Sequence, residues 1–154
     1  MRRTANTPVE TRIEHMLTEA RVLLPGAQAM LGFQLAVLLT ESFTQLPEVS
    51  KEMHVVALLA TALAVILLMA PAAFHRITFQ GESTEAFHAL GSGLVLAAAV
   101  PLALGIVLEM YVAAARALEN AMMGMAAAVL VAAMLAALWL VAPLVLRGRQ
   151  GGFR

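Results

Sequence analysis

Apolar residues dominate four long stretches of the chain. A helix that crosses a bilayer needs about 20 predominantly apolar residues. Four stretches meet this length: about 23–46, 54–74, 89–114 and 121–146. Because the connections between them are short, consecutive helices should pack as antiparallel neighbours. The pattern predicts an all-α polytopic membrane protein with four transmembrane helices in an antiparallel bundle.

A different pattern precedes the first stretch. Between residues 7 and 22, apolar positions recur at helical spacing and charged residues lie mostly around the other face. The apolar face comprises Val9, Ile13, Met16, Leu17 and Ala20. This predicts an amphipathic helix in the membrane interface, within an N-terminal segment 1–22. Pro25-Gly26 predicts the bend from this helix into the first span.

Composition agrees with a membrane location. Hydrophobic residues make up 61% of the 154 residues, charged residues 13%, and the mean hydropathy is +0.84. A soluble domain has about 25% charged residues, so the lipid bilayer is the expected partner. The formal net charge of zero gives no reason to expect nucleic acid. The absence of cysteine excludes disulfides, thiolate metal sites and thiol nucleophiles.

Basic residues are distributed unevenly between the two predicted sides of the membrane. One side carries eight arginines, three of them in a basic tail at 147–154, and the other carries Lys51 and Arg116. The eight are Arg2, Arg3, Arg12, Arg21, Arg76, Arg147, Arg149 and Arg154. By the positive-inside rule, both termini are expected to be cytoplasmic.

Two glutamates interrupt the apolar stretches at corresponding places. Glu41 and Glu109 each precede an aromatic residue by two positions, about five residues before the end of the first and third spans. This correspondence suggests a duplicated two-helix hairpin, with chance similarity between apolar helices as the alternative. Both carboxylates are then expected at similar depth.

Other polar residues should join the two glutamates in one layer. His54 opens the second span, and Arg116 precedes the fourth. Gln34 and Gln45 share a helical face with Glu41. A layer of acids, amides, an imidazole and an arginine can relay protons or hold a cation. The alternative is structural: a glutamate near a helix end can pair with Arg116 or reach the headgroups and do nothing else.

Small residues at four-residue spacing line three of the spans. The series are Gly32, Ala36 and Thr40; Gly93, Ala97, Pro101 and Gly105; and Gly124, Ala128, Ala132 and Ala136. Such series allow helices to approach closely in lipid. They predict close packing within the chain, and the alanine-rich faces suggest a homo-oligomer.

A second polar cluster lies at the opposite end of the helices. His75 closes the second span and His88 opens the third, so a hairpin could bring both imidazoles together. They are weak candidates for metal or haem ligands, because their spacing matches no metal motif. No phosphate-binding glycine loop, HExxH or GxSxG occurs, and the loops are too short for a substrate pocket. We therefore expect no enzymatic activity and no cofactor.

Three sequence motifs together carry a family resemblance. LLPGAQAMLGFQ at 23–34, APAAFHR at 70–76 and PLALGIVLEMY at 101–111 resemble a family of small bacterial four-span membrane proteins of uncharacterised function. The resemblance covers the chain from about Glu10 to the fourth span. It implies a bacterial inner-membrane protein with four helices, and it implies no activity.

The leading functional hypothesis from the sequence is a homo-oligomeric channel or transporter for a cation or proton. Its pathway would use Glu41, Glu109, His54, Gln34, Gln45 and Arg116. The first alternative is a non-transporting accessory or assembly subunit of a membrane complex. The second is a membrane protein that binds haem or a metal through His75 and His88.

Overall fold

The computed structural model describes residues 8–151, with side chains described to residue 148. Within these residues the chain is helical, with short turns and no strand. The helices are α1 Val9–Leu38, α2 Glu41–Thr44, α3 Glu48–Ile77, α4 Glu85–Ala117, α5 Ala121–Ala136 and α6 Ala142–Gly151, with a π-helical turn Ala137–Val141 between the last two.

Four of these helical segments are long and apolar enough to cross a membrane. They are Val9–Leu38, Glu48–Ile77, Glu85–Ala117 and the joined segment Ala121–Gly148. The prediction of an all-helical chain with four such helices is confirmed. The last segment includes the π-helical turn and continues beyond the predicted span end at residue 146.

The first helix differs from its prediction at its beginning. The sequence predicted a separate helix before Pro25, whereas α1 runs without interruption from Val9 through Pro25 to Leu38. Proline removes one backbone donor and its ring crowds the carbonyl one turn earlier, which kinks a helix without always ending it. Apolar helices tolerate proline where neighbouring groups satisfy the freed carbonyl. The amphipathic segment is therefore the first half of α1.

The same helix also ends earlier than predicted. The predicted span extended to residue 46, but α1 stops at Leu38 and Glu41 begins the short helix α2. The amides of Leu39 and Thr40 donate to carbonyls three residues back, which tightens the last turn. The hydroxyl of Thr40 then accepts a hydrogen bond from the amide of Phe43. Thr40 is thus the N-cap of a new helix, a role that threonine prefers.

Helices α3 and α4 form the central pair, and α1 packs against both. Small residues make the close approach of α3 and α4 possible. Ala57, Ala64 and Thr61 of α3 are fully buried. A Cβ at Gly105 of α4 would lie 2.5 Å from the Thr61 hydroxyl oxygen. The central pair therefore leaves no space for a larger side chain at that point.

The fourth candidate span packs mainly on α4. Asn120 caps it, with its side-chain oxygen accepting hydrogen bonds from the amides of Met122 and Met123. Gly124 and Ala128 are its buried residues. Most of its large apolar side chains are exposed in the single chain. This helix therefore offers an unpartnered apolar face.

Candidate functional site

Three helices each contribute one polar residue to a buried cluster. Gln34 lies one turn before the end of α1, His54 in the second turn of α3, and Glu109 about two turns before the end of α4. His54 is fully buried and Gln34 is 2% exposed, whereas the Glu109 side chain is 26% exposed. We call these residues the His54 cluster.

Both ring nitrogens of His54 have partners on other helices. Nδ1 lies 3.0 Å from Glu109 Oε1, and Nε2 lies 3.0 Å from the backbone carbonyl oxygen of Gln34. A carbonyl oxygen can only accept, so Nε2 must carry a hydrogen and donate it. This fixes one of the two ring protons from geometry alone.

The contact between His54 and Glu109 then requires a second proton. With Nε2 protonated, Nδ1 is an acceptor unless the ring is an imidazolium, and an ionised carboxylate is also only an acceptor. A hydrogen bond at 3.0 Å therefore needs a proton on Nδ1 or on Oε1. Both arrangements give the pair a net charge of zero. Without that proton, two acceptors would face each other and the cluster would hold a net negative charge.

Gln34 completes the cluster from the other side of the carboxylate. Its amide nitrogen donates to Glu109 Oε2 over 3.4 Å, a long hydrogen bond. Its side-chain oxygen is buried and has no hydrogen-bond partner among the described residues. A buried polar atom of this kind costs about 1–3 kcal/mol. The cluster therefore retains capacity to accept one more donor or a cation.

One aromatic residue packs against the cluster. The ring centroid of Phe43 lies 5.4 Å from that of His54. The sequence marked Phe43 only as the aromatic residue two positions after Glu41 and did not place it beside His54. Phe43 belongs to the short helix α2, which the apolar pattern did not predict.

The remaining predicted site residues make no hydrogen bond to the His54 cluster within the described residues. Glu41 is exposed at the start of α2 and makes no side-chain hydrogen bond within the described part of the chain. Arg116 and Gln45 are also exposed, and the guanidinium donates to Gln45 Oε1 over 3.5 Å. Hydrogen bonds thus join Gln34, His54 and Glu109, and a separate one joins Gln45 and Arg116.

The histidines at the opposite end have different surroundings. The His75 ring packs on Phe87, with centroids 4.8 Å apart, and Phe87 also contacts Phe79. His88 is half-buried in the first turn of α4. Among the described residues, no group of three histidine, cysteine, aspartate or glutamate side chains could hold a metal ion. The geometry at this end is that of aromatic packing.

Comparison with known proteins gives a family without a function. No curated protein and no solved structure matches the chain. One family model matches residues 2–143, which is most of the chain, and it is described as a family of unknown function, DUF6328. The resemblance to an uncharacterised family is confirmed to that extent. The chain belongs to the DUF6328 family.

Proposed function

We propose that this protein moves a proton or another cation across a bacterial inner membrane, with Glu109 and His54 as its proton-binding pair. The helices form an antiparallel bundle in this proposal, and the first half of α1 lies at the cytoplasmic interface. Both termini are cytoplasmic because the arginines collect on that side. The His54 cluster then lies toward the outer side of the membrane.

The observation that carries the proposal is the proton required between His54 and Glu109. A carboxylate whose only role was to hold helices together would need hydrogen bonds from amide donors alone. Here it faces an imidazole whose other nitrogen is already committed as a donor. Histidine and glutamate side chains are both common proton donors and acceptors in proteins. The partial exposure of Glu109 supplies a route by which the proton can enter or leave.

The other predicted residues line the outer mouth of the pathway or contact the cation beside Glu109 in this proposal. Exposed Glu41 would attract cations at the outer mouth, and Gln45 with Arg116 would border it. The unpartnered oxygen of Gln34 would accept a hydrated proton or a small cation beside Glu109. Each of these is a polar group at the end of the bundle where His54 lies.

A second copy of the chain provides the remainder of the pathway in this proposal. Directly beyond the cluster, Gly105, Thr61 and Ala57 pack too closely to leave a channel within one chain. The exposed apolar side chains of α5 and α6 form a surface that another copy could cover. We therefore place the pathway between copies in a homo-oligomer.

Proton flux into liposomes tests this proposal. Purified protein would be reconstituted with a pH-sensitive dye inside, and a potassium gradient with valinomycin would supply the driving force. We expect flux from the wild type, and loss of flux from Glu109→Gln and from His54→Gln. Glu52→Gln is the matched control, because Glu52 is an exposed glutamate on the same helix as His54.

Two results would contradict the proposal in different ways. Absence of flux from the wild type at every pH would refute transport. Flux that survives Glu109→Gln and His54→Gln would refute the site assignment and leave transport intact. Glu41→Gln is expected to slow flux without abolishing it, because an exposed mouth residue only concentrates cations.

A non-transporting accessory subunit is the second candidate function. The observation that favours it is that the His54 cluster joins α1, α3 and α4 through hydrogen bonds. On this alternative, Glu109→Gln lowers the melting temperature, and the wild type conducts nothing. Co-purification of a membrane partner that is lost in Glu109→Gln would then support it.

A further inference from the structure

An apolar groove lies between α1 and α3, at the end of the bundle that carries His75. Its volume is about 890 Å³, within the range of roughly 300–1,000 Å³ that is typical of ligand pockets. Aliphatic side chains form its walls, among them Leu17 and Leu24 from α1 and Ile66 and Met69 from α3. The surface is suited to a hydrocarbon chain.

Two arginines from different helices also line this groove. Arg21 comes from α1 and Arg76 from the last turn of α3, with His75 beside them. Neither arginine forms an ion pair or a side-chain hydrogen bond within the described residues. No acidic residue lines the groove. The groove therefore combines an apolar wall with positive charge that nothing within it neutralises.

The position of Arg21 strengthens this reading. Arg21 lies in the thirteenth position of a helix that is apolar enough to span a membrane. In the antiparallel arrangement proposed above, the groove that Arg21 of α1 and Arg76 of α3 both line lies at the cytoplasmic end of the helices. At the cytoplasmic interface, where the first half of α1 is placed above, an arginine attracts the anionic headgroups of lipids.

We propose that this groove binds an anionic phospholipid, with its phosphate between Arg21 and Arg76 and one acyl chain along the apolar wall. Arginine binds phosphate through two parallel hydrogen bonds, which favours this group over a point contact with lysine. A zwitterionic lipid offers the same acyl chain but no net charge to balance two guanidiniums. The site is independent of the proton pathway, since none of its lining residues belongs to the His54 cluster.

Native mass spectrometry with lipids of matched acyl chains tests this site. Detergent-purified full-length protein would be titrated with phosphatidylglycerol and, separately, with phosphatidylcholine. We expect phosphatidylglycerol to bind roughly 10- to 30-fold more tightly, the effect of two arginines near a membrane surface. The double variant Arg21→Gln, Arg76→Gln should bind phosphatidylglycerol and phosphatidylcholine with similar affinity. Arg147→Gln removes one exposed charge outside the groove and should leave the preference unchanged.

A second variant tests the apolar part of the groove without altering its charge. Ala73 is exposed and lines the groove, so Ala73→Trp should fill it and weaken binding of both lipids while the chain still folds. Equal affinities in the wild type would overturn the proposal, as would a preference that survives the double arginine variant. Displacement of phosphatidylglycerol by soluble glycerol phosphate at the same concentration would overturn it too. The phosphate alone would then account for binding, without the acyl chain.

Discussion

Replacing Gly124 with alanine should weaken the packing of the fourth candidate span on α4. Gly124 lies on the only buried stripe of α5 within the described residues, facing α4. A Cβ at this position would lie 2.6 Å from the Ala115 Cβ and 2.9 Å from the carbonyl oxygen of Tyr111. The carbonyl belongs to a helix backbone and cannot rotate away. The two helices must therefore move apart.

The size of the effect follows from these distances. Moving the new Cβ from 2.6 Å to an ordinary separation of 3.4 Å from Ala115 displaces α5 by about 0.8 Å. A gap of that size removes about a quarter to a half of the attraction between atoms previously in contact, including those of Ala128 one turn further. Overpacking typically costs about 1–3 kcal/mol. For a chain of this length, we expect the melting temperature to fall by roughly 3–10 °C.

Thermal unfolding in detergent, followed by intrinsic fluorescence or circular dichroism, measures this change. Gly93→Ala is the matched control, because a Cβ at Gly93 meets nothing within 4 Å. Alanine should stabilise that exposed helical position by about 0.5–1 kcal/mol. Adding Ala115→Gly to Gly124→Ala should restore part of the stability, since it removes the closest contact. If the Gly124→Ala and Gly93→Ala proteins have the same melting temperature, the close contact between α4 and α5 at Gly124 is wrong.

Three further substitutions test other parts of the structure by the same unfolding measurement. Glu109→Leu leaves the buried His54 Nδ1 without a partner and should cost about 1–3 kcal/mol, whereas Glu41→Leu at an exposed position should change little. Gly81→Ala places a side chain at a φ of 85° in open space, so only backbone strain of about 1–2 kcal/mol should appear. Phe87→Ala empties a fully buried site and should cost about 3–5 kcal/mol. A Glu41→Leu protein as unstable as Glu109→Leu would contradict the first of these, and unchanged melting would contradict the others.

Residue type and spacing predicted where the helices lie better than they predicted which face of each helix packs against another. Long apolar stretches can only satisfy their backbone in lipid as helices, so four of them were predictable. The small-residue series were less informative. Gly105 and Gly124 do lie at helix contacts, but Gly32 and Gly93 face open space. In an apolar helix, polarity does not distinguish the side that contacts protein from the side that contacts lipid, so periodicity alone cannot select the packing face.

The end of α1 explains why the predicted polar layer was only partly assembled. The sequence predicted Glu41 and Glu109 at similar depth because it extended the first span to residue 46. In the structure, Thr40 caps a new helix, and the first residue of that helix, Glu41, is exposed. A threonine in an apolar stretch is ordinary in membrane helices, so its capping role could not be recognised without the tertiary contacts of α2. Gln34 and His54 both contact Glu109, and both lie within uninterrupted helices.

The two glutamates of the predicted layer therefore present different chemistry. Glu41 is exposed, and its side chain makes no hydrogen bond within the described residues. Glu109 is held between an amide and an imidazole whose second nitrogen donates to a backbone carbonyl. In the proposed function, loss of the proton between His54 and Glu109 would leave two acceptors facing each other and a net negative charge on the pair. We therefore expect release of this proton to be accompanied by a rearrangement of α1, α3 or α4, or by entry of another cation. Helix movement and proton exchange at the His54 cluster are thus expected to be coupled.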